Sequence, residues 1–322
     1  MHQVCSLDVG QGSIILGLRV SFNGEFMFKR IFLFMLTNIL VMVSVSIILS
    51  VLGVGNYLTA SGVDYSALMI FCLIWGFVGS GISLLMSKFM AKTMMGVEIV
   101  DDRGQYGELV RKVHQMARQA GLSKMPEVGI YQSPEVNAFA TGPSKNNSLV
   151  AVSTGLLQQM NTDEVEGVLA HEVAHIANGD MVTMALIQGV VNAFVMFFAR
   201  LAAFALQNVL QGDRDDERPA SSGWVYHLSV MVFEILFSFL GMFVVAYFSR
   251  AREFRADKGG AQYAGKYKMI SALKRLQSKL EWVDDSQDAV KTMKISSKKG
   301  LMNFLSTHPT LEDRIAALER AI

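Results

Sequence analysis

The chain has 322 residues, of which 51% are hydrophobic and 18% charged, and its mean hydropathy is +0.33. Soluble domains carry about a quarter charged residues, so this balance excludes a disordered chain and a purely soluble enzyme, yet it is too polar for membrane spans alone. A net charge of +1 gives no basic field for nucleic acid, and two cysteines, Cys5 and Cys72, build neither a disulfide framework nor a Cys-rich zinc site.

Residues 1–26 are mixed and Gly-rich, an N-terminal extension to which no role is assigned. Lys29 and Arg30 then precede Ile31–Gly55, twenty-five residues without a charge, and a second apolar run follows at Tyr65–Ser87. Each exceeds the roughly 20 residues that cross a bilayer. The first is too long for a signal-peptide core and lacks a small-residue cleavage site, so residues 27–92 read as a retained two-helix anchor. Two further stretches, Met181–Leu210 and Trp224–Phe248, make a second membrane hairpin over 181–249. Arg200 and Glu234 interrupt them and are expected to face each other, because ionisable groups inside spans turn toward protein. Lys29, Arg30, Lys88, Lys92, Arg250, Arg252 and Arg255 flank the spans, whereas the loop at 56–64 has no Lys or Arg. The positive-inside rule therefore puts the segments 88–180 and 250–322 in the cytoplasm, and the acidic loop 211–223 outside.

The soluble part comes in two pieces, 93–180 and 250–322. Leu109, Val110, Val113, Met116 and Ala117 have helical spacing within Gln105–Ala120, and Gly121 suits the stop. Val128–Tyr131 reads as a strand, and Asn137–Thr141 with Ser148–Ser153 as a hairpin around 142–147. Asn161 and Glu164 form a capping-box pattern for a helix from Thr162 to about Ala177, ended by Asn178-Gly179. Helices are expected at 251–264, 266–282 and 311–321, and Lys291–Lys299 reads as a basic surface loop. The fold class expected is a mainly α-helical membrane protein: about four transmembrane helices plus an α+β cytoplasmic domain with a small antiparallel sheet. Gly260 to Lys266 spells most of a phosphate-binding loop, but Tyr267 stands where Ser or Thr would hold magnesium and no strand precedes it.

His171-Glu172-Val173-Ala174-His175 carries the chemistry. Residues four apart share a helix face, so both imidazoles can hold one zinc ion while Glu172 turns toward the open coordination position. A catalytic zinc wants a third protein ligand. Glu253 is favoured over His2, His114, His227 and His308, with Asp257 one turn on to accept a hydrogen bond from a ligand His.

With these motifs go Ile176–Asp180, Asn137–Gly142 and Thr307-His308-Pro309. Together and in this order they resemble the HtpX family, bacterial heat-shock membrane zinc metalloproteases related to the CAAX prenyl proteases. The resemblance runs from about Met27 to Ile322. It implies one zinc per chain on His171, His175 and Glu253, Glu172 as general base, and His308 as a donor to the oxyanion. It also implies a multi-pass protein of the bacterial inner membrane, acting in quality control on misfolded or damaged membrane proteins. Asn137, Ala138, Phe139, Ala140 and Thr141 are expected to form an edge strand to which an extended substrate adds by backbone pairing. Without a nucleotide site, extraction of substrates would need a partner, for which an ATP-dependent membrane protease in the same pathway is expected; nucleic acid is not. The competing readings are a CAAX-type relative, a non-enzymatic scaffold with structural zinc, and a channel with Arg200 and Glu234 on its pathway.

Overall fold

The computed structural model describes residues 39, 43–51, 58–59, 62–211, 223–285 and 308–321. The first expected span falls largely outside these residues, although 43–51 are helical; most of the acidic loop, the Lys291–Lys299 stretch and residues 1–26 lie outside them too. A two-residue ladder, β1 (Leu58–Thr59) with β2 (Gly62–Val63), leads into helix α1 (Tyr65–Met94). Asp64 caps that helix by accepting hydrogen bonds from the backbone of Ser66 and Ala67. Strand β3 (Glu98–Val100), helix α2 (Gly107–Gln119), strands β4 (Glu127–Tyr131), β5 (Ala138–Ser144) and β6 (Asn147–Ser153), and helix α3 (Thr154–Gln159) follow. The rest is helical: α4 (Thr162–Asn178), α5 (Asp180–Gln211), α6 (Gly223–Ala264), α7 (Lys266–Asp285) and α8 (Leu311–Arg320).

Among the described residues, three helices are long and apolar enough to cross a membrane: Tyr65–Met94, Asp180–Leu210 and Trp224–Ala264. α5 packs against both α1 and α6. Its exposed Leu186, Val190, Phe194 and Phe198 recur every fourth residue, and α6 shows Leu228, Met231 and Ile235 at spacings of three and four. Continuous apolar stripes of this kind on a water-facing surface would drive aggregation; against lipid they cost nothing. Arg200 and Glu234 meet at 2.8 Å between α5 and α6, as their positions in the two apolar runs imply. The chain is a multi-pass membrane protein.

The sheet has the order β3-β4-β6-β5, with β5 at an edge. It is mixed, where the sequence reading expected antiparallel pairing: β6 inserts between β5 and β4 and runs parallel to β4. The reason is topological. β4 and β5 run in opposite directions, and the tight turn after β5 returns β6 into the gap between them. β3 is an element the periodicity did not reveal, being only three residues long.

Alternation sorts the sheet's side chains onto two faces. Val128, Ile130, Val150 and Val152 pack with Val113 and Met116 of α2 and with Leu169, Val173 and Ile176 of α4. On the other face Tyr131, Leu149, Ala151 and Phe139 meet Ala91 near the end of α1. The sheet is thus clamped between a membrane helix and the helix that carries both histidines. Lys88 and Lys92 of α1 reinforce this by pairing with Glu127 at 2.9 and 2.7 Å.

α6 also departs from expectation. The sequence predicts a new helix at 251–264, but the span runs through without a break for 42 residues. The charges of Arg250–Asp257 mark where the helix leaves the apolar layer, and no Pro breaks it there.

Candidate metal centre

α4 is framed as the capping pattern implies. Asn161 Oδ1 accepts from Glu164 N–H at 3.0 Å and Glu164 Oε2 accepts from Asn161 N–H at 2.9 Å. Gly179, at φ 73°, ends the helix in the left-handed conformation open to glycine. α6 lies flush against α4 because two of its residues have no side chain. A Cβ on Gly259 would sit 2.8 Å from Ala174 Cβ, and one on Gly260 would sit 3.1 Å from the backbone nitrogen of His171. Gly260 is thus a packing residue inside a helix, while Gly265, at φ 99°, turns the chain into α7. This contact brings Glu253 and Asp257, each 1% exposed, onto His171 and His175.

The inner ring nitrogens converge. His171 Nε2 and His175 Nε2 are 3.0 Å apart, and Glu253 lies 3.5 Å from the first through Oε2 and 3.4 Å from the second through Oε1. Tetrahedral zinc with bonds of about 2.0 Å has ligand edges near ~3.3 Å, so the triangle has the size of one metal ion's coordination face. The outer nitrogens are held by carboxylates, His171 Nδ1 by Asp257 Oδ1 at 2.9 Å and His175 Nδ1 by Asp180 Oδ2 at 2.7 Å. A carboxylate only accepts, so each Nδ1 carries its proton and each Nε2 turns a lone pair inward. Two lone pairs facing at this distance need a proton or a cation between them. Among the described residues, buried Glu253 Oε1 has no hydrogen-bond partner, which adds an acceptor aimed at the same point. Two imidazoles and a carboxylate suit zinc.

Electrostatics agree with a cation-seeking site. Burial opposes charge on both rings, but it is outweighed. Asp257 and Glu253 hold His171 above the ordinary imidazole range, and Asp180 and Glu253 hold His175 up to about 9. The Nε2 atoms are too close for both to be protonated, so the metal-free pair shares one proton.

Glu172 is half-buried and borders a cavity of about 150 Å³ with Asn137, Ala138, His308 and Arg314. His308 Nδ1 is 3.0 Å from Glu253 Oε2, with the ring largely exposed. The expected substrate strand divides. Asn137 and Ala138 border this cavity. Phe139 packs on Tyr131 with ring centroids 5.7 Å apart, Ala140 faces the α4 core, and Thr141 borders a different cavity.

Two residues of the centre carried no role in the sequence reading. Arg314, from α8, places Nε 2.7 Å from Asp257 Oδ2, Nη2 2.5 Å from Asp257 Oδ1 and Nη1 3.2 Å from Glu253 Oε2. Its only signal was a position six residues beyond His308. Asp180 was visible beside the glycine stop, but only the left-handed turn at Gly179 brings it back to His175.

The model of peptidase family M48 matches residues 104–322. A Bacillus licheniformis protein named protease HtpX homolog is 56% identical over 301 residues, 90% of this chain and 99% of its own length. A Bacillus subtilis protein of the same name is 55% identical over 304 residues, 91% of this chain and 99% of its own length. Protease HtpX of Acinetobacter baumannii is 48% identical, over 90% of this chain and 98% of its own length. Among solved structures, Ste24p of S. mikatae superposes with a TM-score of 0.61 at 20% identity, covering 93% of this chain and 66% of that one, which shows a shared fold. A family match over most of the chain, full-length relatives at this identity, and a convergent His-His-Glu centre beside long apolar helices lead to one conclusion: the chain belongs to peptidase family M48 and is a membrane metallopeptidase.

Proposed function

We infer that the chain is a zinc endopeptidase that cleaves misfolded or damaged membrane proteins at the cytoplasmic surface of the bacterial inner membrane, as part of a stress response. The observation that carries the chemistry is the pair of inward Nε2 atoms closed by Glu253, with their outer nitrogens locked by Asp180 and Asp257. His171, His175 and Glu253 hold one zinc ion. Bound zinc supplies a Lewis acid that activates water and polarises a peptide carbonyl.

The chain's own residues do the rest. Glu172 accepts the proton of the attacking water and passes it to the leaving amine. His308 donates a hydrogen bond to the carbonyl oxygen as negative charge grows there. Asp257 and Asp180 keep the imidazoles oriented, and Arg314 offsets the charge of the two α6 carboxylates. Asn137–Thr141, an edge, accept an extended substrate by backbone pairing, which tolerates many sequences. The catalytic unit is assembled from 93–180 and 250–322, with the membrane hairpin 181–249 between them.

The site's place relative to the bilayer supports the substrate class. Asp180 is the first residue of α5 and Glu253 lies on the continuation of α6, so both ends of the centre are tied to spanning helices. Basic residues at the span ends favour the cytoplasmic side. The similarity to proteins named protease HtpX favours the stress role, and an ATP-dependent membrane protease would be the natural partner for substrate extraction.

The test is cleavage of an unfolded protein in detergent with added zinc, comparing the parent with Glu172→Gln and measuring bound zinc in both. Cleavage by the parent alone, with zinc in both, is expected. Equal rates would overturn the role of Glu172, and a zinc-loaded parent without activity would favour a structural metal.

A further inference from the structure

The second cavity is larger than the one at the metal centre, about 400 Å³, and it lies between α1 and α5. Its origin is a helix crossing. A Cβ on Gly76 would sit 2.3 Å from the carbonyl oxygen of Gly189, so these helices touch backbone to backbone at that level. The cavity lies between the same two helices and reaches Thr141 of the sheet. Its lining mixes Leu84, Met181 and Ala185 with six polar side chains although both helices are spans: Ser80, Ser83 and Ser87 from α1, Gln188 and Asn192 from α5, and Thr141 from β5.

Gln188 and Asn192 lie eight and twelve residues past Asp180, about 12 and 18 Å along the helix axis. They bond each other, Nε2 of Gln188 to Oδ1 of Asn192 at 2.8 Å, and this is their one side-chain hydrogen bond among the described residues. Among the described residues the Gln188 carbonyl and the Asn192 amide nitrogen are left over on half-buried side chains, in a layer where polar groups need partners. A polar guest would supply them. The same two residues also border a smaller cavity against α6, so the polar region spans the width of α5.

Thr141 connects this cleft to the metal centre. It borders the cleft, while Ala138, three residues earlier on the same edge strand, borders the cavity that holds Glu172. Three residues of strand cover about 10 Å. An extended chain lying along β5 therefore has one end in the membrane layer and the other at the site of cleavage.

Resting on the endopeptidase reading above, we propose that the cleft between α1 and α5 receives the unwound end of a substrate's transmembrane segment and hands it along β5 to the metal centre. An unwound segment must find hydrogen-bond partners within the bilayer; Ser83 and the two amides provide them, and Ser80 and Ser87, whose hydroxyls donate to the carbonyls of Phe77 and Leu84, can still accept. The preferred substrate is a membrane protein with a weak or frayed helix end, cut about three to five residues outside the membrane, a spacing set by strand length.

Photo-crosslinking tests this in liposomes. The full chain carries Glu172→Gln, with a benzophenone amino acid at Ser83 in the cleft or at Val136 beside the metal centre. The probe substrate is a single-span reporter with an Ala/Leu transmembrane segment and an unstructured cytoplasmic flank. Expected are adducts from both positions, Ser83 labelling the end of the span and Val136 labelling the flank several residues further out. Labelling from Val136 alone, or lipid adducts alone from Ser83, would overturn the cleft and leave the endopeptidase reading standing. No adduct from either would overturn both. A kinetic readout is independent of the probe. Gln188→Leu with Asn192→Leu is expected to lower the rate on the reporter relative to that on a soluble unfolded protein at least about tenfold, the equivalent of ~1.4 kcal/mol. An unchanged ratio would overturn the proposal.

Discussion

Asp180 Oδ2 lies 2.7 Å from Nδ1 of His175, and Asp180 is at the same time the first residue of the spanning helix α5. One glycine separates the helix that carries both histidines from a membrane span, and the side chain after it reaches back to orient one of the two rings. The metal centre is therefore fastened to the bilayer through its own hydrogen bond.

Asp180→Asn tests that fastening. The amide is nearly isosteric and can still accept from Nδ1, but it lacks the charge that raises the basicity of the ring. Carboxylates behind metal-bound histidines are worth about 10- to 100-fold in metal affinity. Zinc titration is expected to show a loss at the lower end of that range, with cleavage restored by excess zinc. Unchanged affinity would mean that Asp180 serves only to start α5.

Arg314 is the counter-charge for two buried carboxylates, Glu253 and Asp257. Removing one partner of a buried ion pair costs about 3–5 kcal/mol because the other charge is left uncompensated. Arg314→Met is thus expected to lower the unfolding temperature in detergent, and to do so more in the metal-free form than with zinc bound, since zinc itself offsets Glu253. An equal loss in both forms would show that Arg314 stabilises α8 packing rather than the centre.

These two residues mark the limit of legibility. His171, Glu172 and His175 were readable because four residues of helix suffice to put two rings on one face, and the cap at Asn161 and the stop at Gly179 bounded that helix locally. Glu253 and Asp257 were readable by chemistry and spacing, since few other ligands were available. Arg314 was not, because its pairing with Asp257 joins elements 57 residues apart and no periodicity encodes it. The parallel pairing of β4 with β6 escaped for the same reason: it joins strands separated in sequence by β5, while the local pattern encodes only the hairpin of β5 and β6. The uninterrupted α6 was hidden by a misleading local cue, a run of charges taken for a helix start, though charge ends a membrane layer without ending a helix.

The shared proton gives a pH dependence whose sign can be worked out. Burial alone would push His175 down, but the hydrogen bond to Asp180 and the nearby Glu253 carboxylate hold it up to about 9 in the metal-free chain. Below that pH the pair of rings carries one proton between the Nε2 atoms, and zinc must displace it. Lowering the pH therefore weakens zinc binding, and raising it toward 9 strengthens binding, by about tenfold per pH unit for one displaced proton. Zinc titrations of the Glu172→Gln chain at pH 6, 7 and 8 are expected to show this slope, with one proton released per zinc in calorimetry across buffers of different ionisation enthalpy. A flat profile would mean that both rings are already neutral and turned inward before the metal arrives, so that the converging carboxylates prepare the geometry of the site without storing a proton in it.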